Sequence, residues 1–222
     1  RLKTQQGPAK VICATNILAH VDNIGEILDA TVDLLAEDGV LICEVQYLFG
    51  VLDSLSVDSI YHEHLRYYGL DSLRRHLHRH GLEVFQARHL KTHSGSIRVH
   101  AARPGRYPVG KSVDEILDQE KQRGPLLGQL TAFAGRAHQA RESLRAIFRD
   151  TVAGKRVFGI GAAPRSAALL NYVQLDEKDI ACVLEVPGSP KIGKLVPGTA
   201  IPVADESLLF QEQPDFAILL SW

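Results

Sequence analysis

Apolar positions along the chain follow two different periods, and each switch between them marks an element. Val11-Ile12-Cys13-Ala14-Thr15 is a short β-favouring run of the buried-strand type. From Asn23 to Ala36 the apolar residues Ile24, Ile27, Leu28, Leu34 and Leu35 recur three and four apart, with Thr31 on the same face and Asn23 as N-cap. Glu37-Asp38-Gly39 breaks that helix, and Val40 to Val45 is the next strand. A strand–helix–strand order predicts a right-handed parallel crossover. A loop is expected from Gln46 to Tyr61. Asp71 can cap a helix running to about His80, closed by Gly81. Leu82–Leu90 and Ser96–Ala102 read as consecutive strands, an antiparallel pair at a sheet edge.

Proline and glycine between Arg103 and Gly110 interrupt both periods, which makes this stretch the strongest boundary in the chain. Beyond it, Val113–Gln122 and Leu126–Val152 read as helices. A second α/β segment follows: strand Arg156–Gly159, a glycine-rich turn, helix Ser166–Tyr172 and strand Ile180–Glu185. The apolar run Pro214 to Trp222 reads as one more strand. The class is α/β, with domains expected over residues 1–108, a helical connector over 109–154 and a second α/β domain over 155–222.

Composition narrows the partners. In 222 residues the net charge is -1, so no positive excess argues for nucleic acid or an anionic membrane. No apolar run is long enough to span a bilayer. Cys13, Cys43 and Cys182 sit inside apolar runs and read as reduced, buried thiols of a cytoplasmic protein. The chain has no methionine and ends on an apolar strand, so it is expected to be incomplete as written.

The chemistry concentrates at Tyr61-His62-Glu63-His64, four consecutive groups able to donate, accept or hold a proton. One reading makes a histidine a general base, with Glu63 fixing it and Tyr61 hydrogen-bonding a developing oxyanion. A second makes His62 and His64 metal ligands together with His20 or Glu44, as in a metal-dependent hydrolase. A third is a solvated surface loop. His20 follows the first strand, where open α/β sheets form their ligand crevice, and His93 stands at a strand entrance beside Ser94-Gly95-Ser96. Gly159-Ile160-Gly161-Ala162-Ala163-Pro164-Arg165 links a strand to a helix. Such a turn can offer backbone amides and a helix N-terminus to a phosphate, with Arg165 adding charge, or it can simply allow tight packing.

The run from Val11 to Glu44 resembles the second half of a class I S-adenosylmethionine-dependent methyltransferase. Tyr61-x-Glu63-His64, His93-x-Gly95-Ser96-Ile97-Arg98, Gly159-x-Gly161-Ala162, Leu169-Leu170-Asn171-Tyr172 and Pro197-Gly198-Thr199-x-Ile201-Pro202 occur in order and, together, resemble the nucleotide-sugar C-methyltransferases. The resemblance implies the C-terminal half of a methyltransferase Rossmann-like sheet, a helical connector and a second, Rossmann-like domain. It also implies a zinc-binding N-terminal domain and a glycine-rich methyl-donor loop, neither of which lies in this chain. The implied substrate is a keto-deoxysugar carried on a nucleoside diphosphate, and the implied cofactor is S-adenosylmethionine. By position, His64 is the base that removes the proton α to the carbonyl. Tyr61 and His20 line the sugar site, Glu63 orients the base, and Asn16 and Ala19 border the methyl donor. His93, Gly159, Gly161, Ala162, Arg165, Asn171 and Lys191 are implied to hold the nucleotide sugar. Three positions depart from the family pattern: Ser94 replaces a usual glycine, Arg165 a lysine and Glu185 an aspartate. A non-catalytic relative that binds nucleotide sugar without a methyl donor is the alternative.

Overall fold

The computed structural model describes residues 2–221, the side chains of Leu2 and His93 excepted. Contacts group the chain into two units, one of residues 1–56 and 62–131, the other of residues 57–61 and 132–222. This division differs from the linear partition expected above, because a five-residue segment of the first half groups with the second.

The first unit contains helix α1 (Leu2–Gln6), strand β1 (Ala9–Thr15), helix α2 (Ile24–Leu34), strand β2 (Leu35–Gln46), helix α3 (Leu48–Ser54), helix α4 (Leu70–Arg79), strands β3 (Glu83–Leu90) and β4 (Ser96–Ala102), and helix α5 (Lys111–Gln122). Its sheet runs β1-β2-β4-β3, with β1 parallel to β2, β4 antiparallel to β2 and β3 antiparallel to β4. The expected antiparallel pair therefore forms, and β3 is an edge. Leu28, Leu41, Cys43, Val45, Leu73, Leu77, Ile97 and Val99 are buried in this unit. The Asn23 carboxamide accepts from the Glu26 amide and starts α2 as expected.

Three local expectations are corrected. The helix stops at Leu34, and β2 already pairs at Leu35; Ala9 opposes Leu35 while Val11 opposes Val40, so Ala36 to Gly39 forms a bulge within the strand rather than a break before it. The stretch after Gln46 is α3 and a 3-10 turn at Val57–Ser59, not a loop. Its periodicity is masked by Gly50, whose missing Cβ admits Ser94 O and Gly95 Cα; a methyl there would stand 2.9 and 3.1 Å from them. Cys13 is exposed, because β1 is an edge strand; Cys43 and Cys182 are buried.

Helix α6 (Leu126–Asp150) starts in the first unit and contributes Phe148 to the core of the second. Strand β5 (Val157–Ile160), helix α7 (Pro164–Val173), strands β6 (Cys182–Glu185) and β7 (Val203–Asp205), helix α8 (Leu208–Glu212) and strand β8 (Phe216–Leu219) complete that unit. All four strands are parallel, in the order β7-β6-β5-β8. The chain reverses its direction of travel between β5 and β8, and the C-terminal ends at such a switch point form the ligand crevice of open α/β sheets. Val157, Leu170, Ile180, Val183 and Ile201 pack with Phe148, whereas Phe158, Cys182 and Leu184 pack with Leu208 and Leu209.

Candidate active site

Parallel strands present their C-terminal ends to one edge, and β1 and β2 deliver two loops there. Asn16, held at φ 54, turns the chain sharply after β1, and its amide donates to Glu44 O of β2 at 2.8 Å. The turn is compact: His20 N reaches Ile17 O, Leu18 and Ala19 are buried, and His20 is exposed. The segment after the histidine cluster then runs beside both strand ends. Leu65 N donates to Ala19 O at 2.9 Å, and Leu48 N donates to Tyr68 O at 2.9 Å. These main-chain bonds set the His64 ring edge-on to His20, with centroids 4.9 Å apart and planes at 69°. Tyr67 also meets His64 edge-on, at 6.1 Å and 84°.

His64 and His20 are thus brought together. His62 and Glu63 are exposed. Tyr61 is half-buried and closes the Val57–Tyr61 segment of the second unit. Asn16 and Ala19 lie on the loop that carries His20. The side chain of His93 lies outside the described residues; the 3-10 turn it belongs to, Thr92–Ser94, leads into Gly95 at φ 111. Ser94 sits at φ 62, a conformation that glycine adopts at lower cost. Among the described residues, no three His, Cys, Asp or Glu side chains group as a metal ion would require.

Sequence reasoning had Glu44 only as a conceivable metal ligand. It is 4% exposed at the end of β2, where one carboxylate oxygen accepts Arg98 Nε at 2.9 Å and Nη2 at 2.6 Å, and the other accepts Thr92 Oγ1 at 3.3 Å. A buried carboxylate needs such a partner. Through its main chain and its side chain, Glu44 fastens both the Asn16 turn and the Thr92–Gly95 turn. The signal was present in the sequence as an acidic residue inside an apolar strand.

In the second unit the glycine turn is a packing device. A Cβ on Gly159 would stand 2.6 Å from Leu220 Cδ1 and 3.0 Å from Val183 Cγ2; one on Gly161, at φ 91, would stand 2.5 Å from Ser221 Cβ. The amides are already engaged. Gly161 N donates to Leu184 O, Ala162 N to the Glu185 carboxylate and Ala163 N to Ser166 Oγ, and Pro164 has no N–H. Arg165 is engaged by a carboxylate: its Nε and Nη2 lie 2.7 and 2.5 Å from Asp58 Oδ2. Asn171 holds α7 to the next turn by donating to Pro197 O, and Gly198 lies where a Cβ would clash with its carboxamide. Lys191 is half exposed; its ammonium donates to Ala162 O at 2.8 Å and to Glu185 Oε2 at 3.0 Å, at the C-terminal ends of β5 and β6. Burial raises the Glu185 pKa, but the hydrogen bonds from Lys191 and from the Val186 and Ala162 amides outweigh it and hold the carboxyl below its usual value.

Among the described residues no helix is long and apolar enough to cross a membrane. Residues 91–222 match a family model described as C-methyltransferase C-terminal domain, and residues 2–87 match one described as methyltransferase domain. The C-methyltransferase NovU of Streptomyces niveus is 34% identical over 224 residues, covering 100% of this chain and 53% of that protein. The chain therefore spans about half the length of the curated relative it matches.

Proposed function

From the premise that this chain belongs to the C-methyltransferase C-terminal domain family, we propose that its protein methylates a carbon beside the keto group of a deoxysugar carried on a nucleoside diphosphate. The observation that carries the reading is the His64–His20 pair, edge to face at 4.9 Å beside the C-terminal ends of β1 and β2. A neutral imidazole at His64 takes the proton α to the carbonyl, leaving an enolate whose carbon is the nucleophile. Charge gathers on the enolate oxygen, where a hydroxyl from Tyr61 or an N–H from His20 supplies the opposing dipole. S-adenosylmethionine, when bound, supplies a methyl group on a sulfonium. This chain's share of that cofactor's surroundings is the loop of Asn16 and Ala19; the sharp turn at Asn16 and the burial of Ala19 fit a wall. Glu63, next to His64 in the chain, orients the base in this reading.

The second unit is proposed to hold the nucleoside diphosphate, with the Lys191 ammonium as its cation at the β5/β6 strand ends. Gly159, Gly161, Ala162, Arg165 and Asn171 shape that unit, and His93 borders the sugar. Three free thiols support a reducing, cytoplasmic setting for that reaction.

The test uses full-length protein, a keto-sugar nucleotide and D2O, and follows deuterium entry at the α-carbon by NMR. His64→Ala should slow that exchange by roughly two to four orders of magnitude. Exchange at the wild-type rate in the variant removes His64 as the base. No exchange and no methyl transfer in the wild type removes the reaction itself.

A further inference from the structure

We infer that the buried Asp58–Arg165 ion pair is a positioning device for Tyr61, an inference that rests on the reaction proposed above. Before Ala132, only residues 57–61 group with the second unit, and the 3-10 turn they form packs on α7. Asp58 and Ser59 are 6% and 4% exposed, and the Arg165 side chain is 18% exposed. Arg165 places Nε at 2.7 Å and Nη2 at 2.5 Å from a single oxygen, Asp58 Oδ2, across 107 residues of sequence. A charge this buried depends on its partner, and the charge-assisted bond from Arg165 Nε fixes where the Asp58 carboxylate sits. Only two residues separate Asp58 from Tyr61, and Ile60 N donates to Val57 O at 3.0 Å, closing the turn between them. The ring of Tyr61 therefore inherits its place from the ion pair. This also gives Arg165 a role that a phosphate contact would compete with.

The experiment is a double-mutant cycle in full-length protein, with methyl transfer from S-adenosylmethionine to a keto-sugar nucleotide as the readout. Asp58→Asn should lower kcat on the order of 10- to 100-fold, as expected for a misplaced reacting group, with KM for the methyl donor little changed. In a protein already carrying Tyr61→Phe, Asp58→Asn should cost kcat almost nothing further. Arg165→Lys, which keeps the charge and loses the Nε hydrogen bond, should fall between wild type and Asp58→Asn. Equal losses in both backgrounds, or no loss in either, overturn the inference, because a merely structural pair would act regardless of the tyrosine hydroxyl. If Asp58→Asn does not fold, Asp58→Leu/Arg165→Met fills the same volume without charge. That variant should hold α7 amides protected while hydrogen exchange of residues 57–61 rises about tenfold or more; unchanged exchange there overturns the inference. A wild type without methyl transfer overturns the reaction instead, since the exchange readout does not depend on turnover.

Discussion

Gly161→Ala separates packing from phosphate contact as the reason for a glycine in the β5–α7 turn. In the folded chain Gly161 has φ 91, and an alanine Cβ would meet Ser221 Cβ at 2.5 Å. The backbone conformation costs an L residue about 1–2 kcal/mol, and forcing a methyl into occupied space costs about 1–3 kcal/mol more. The sum is about 2–5 kcal/mol. Gly154 offers an internal control: it has φ 73 with nothing within 4 Å of its would-be Cβ, so Gly154→Ala should lose only the conformational part, about 1–2 kcal/mol. With two contact units, one unfolding free energy for the whole chain is poorly defined, so the assay should be local. Amide exchange in β5 and β8 reads the stability of that sheet directly. At about 1.4 kcal/mol per tenfold, Gly161→Ala should accelerate exchange there roughly 5- to 150-fold beyond Gly154→Ala. If the two variants exchange alike while Gly161→Ala loses affinity for a nucleoside diphosphate, the packing argument fails and the turn is a binding loop.

Two further outcomes follow from the first unit. Glu44→Gln removes a buried charge from a partner that is itself about one-third exposed, so its cost should lie between the buried and surface limits, about 2 kcal/mol. Faster exchange of the Thr92–Gly95 turn checks it, and wild-type protection there would refute the fastening role. For His100, burial first, then Arg88 and Arg98, lowers the pKa. The unfolded chain thus binds a proton near pH 6.5 before the folded one does, so stability is lost as pH falls below that value and levels off beneath the folded pKa. Protection of β3 and β4, corrected for intrinsic rates, should drop between pH 7.5 and 5.5, and His100→Gln should flatten that drop; an unchanged slope in the variant refutes the assignment.

Most elements could be read from the chain because their signals are local. The 3.6-residue period of α2, α4, α5 and α6 and the apolar runs of β1, β5 and β6 need no distant partner to be seen. What escaped the reading depends on contacts far along the chain. Gly50 hides α3 because Gly95 approaches it, and β7 and α8 are too short to show a period. Within the candidate site, the clustering of His64 with an adjacent strand-end histidine was legible. The partners of Glu44 and Arg165, 54 and 107 residues away, were not.

The glycine turn shows why spacing alone underdetermines chemistry. A strand, two glycines and a helix make the same string whether the amides face a phosphate or the protein, and the difference lies in where each N–H goes. Here the three available amides end on Leu184 O, the Glu185 carboxylate and Ser166 Oγ, partners supplied mostly by the neighbouring strand. An anion at these strand ends must therefore be met by side-chain charge. Lys191 is placed to meet it, yet its ammonium already binds Glu185. A diphosphate arriving there either shares that ammonium with a carboxylate held in its charged form or displaces it. Sharing sets two negative charges on one cation, so affinity in this unit should depend on Glu185 as strongly as on Lys191, with opposite sign.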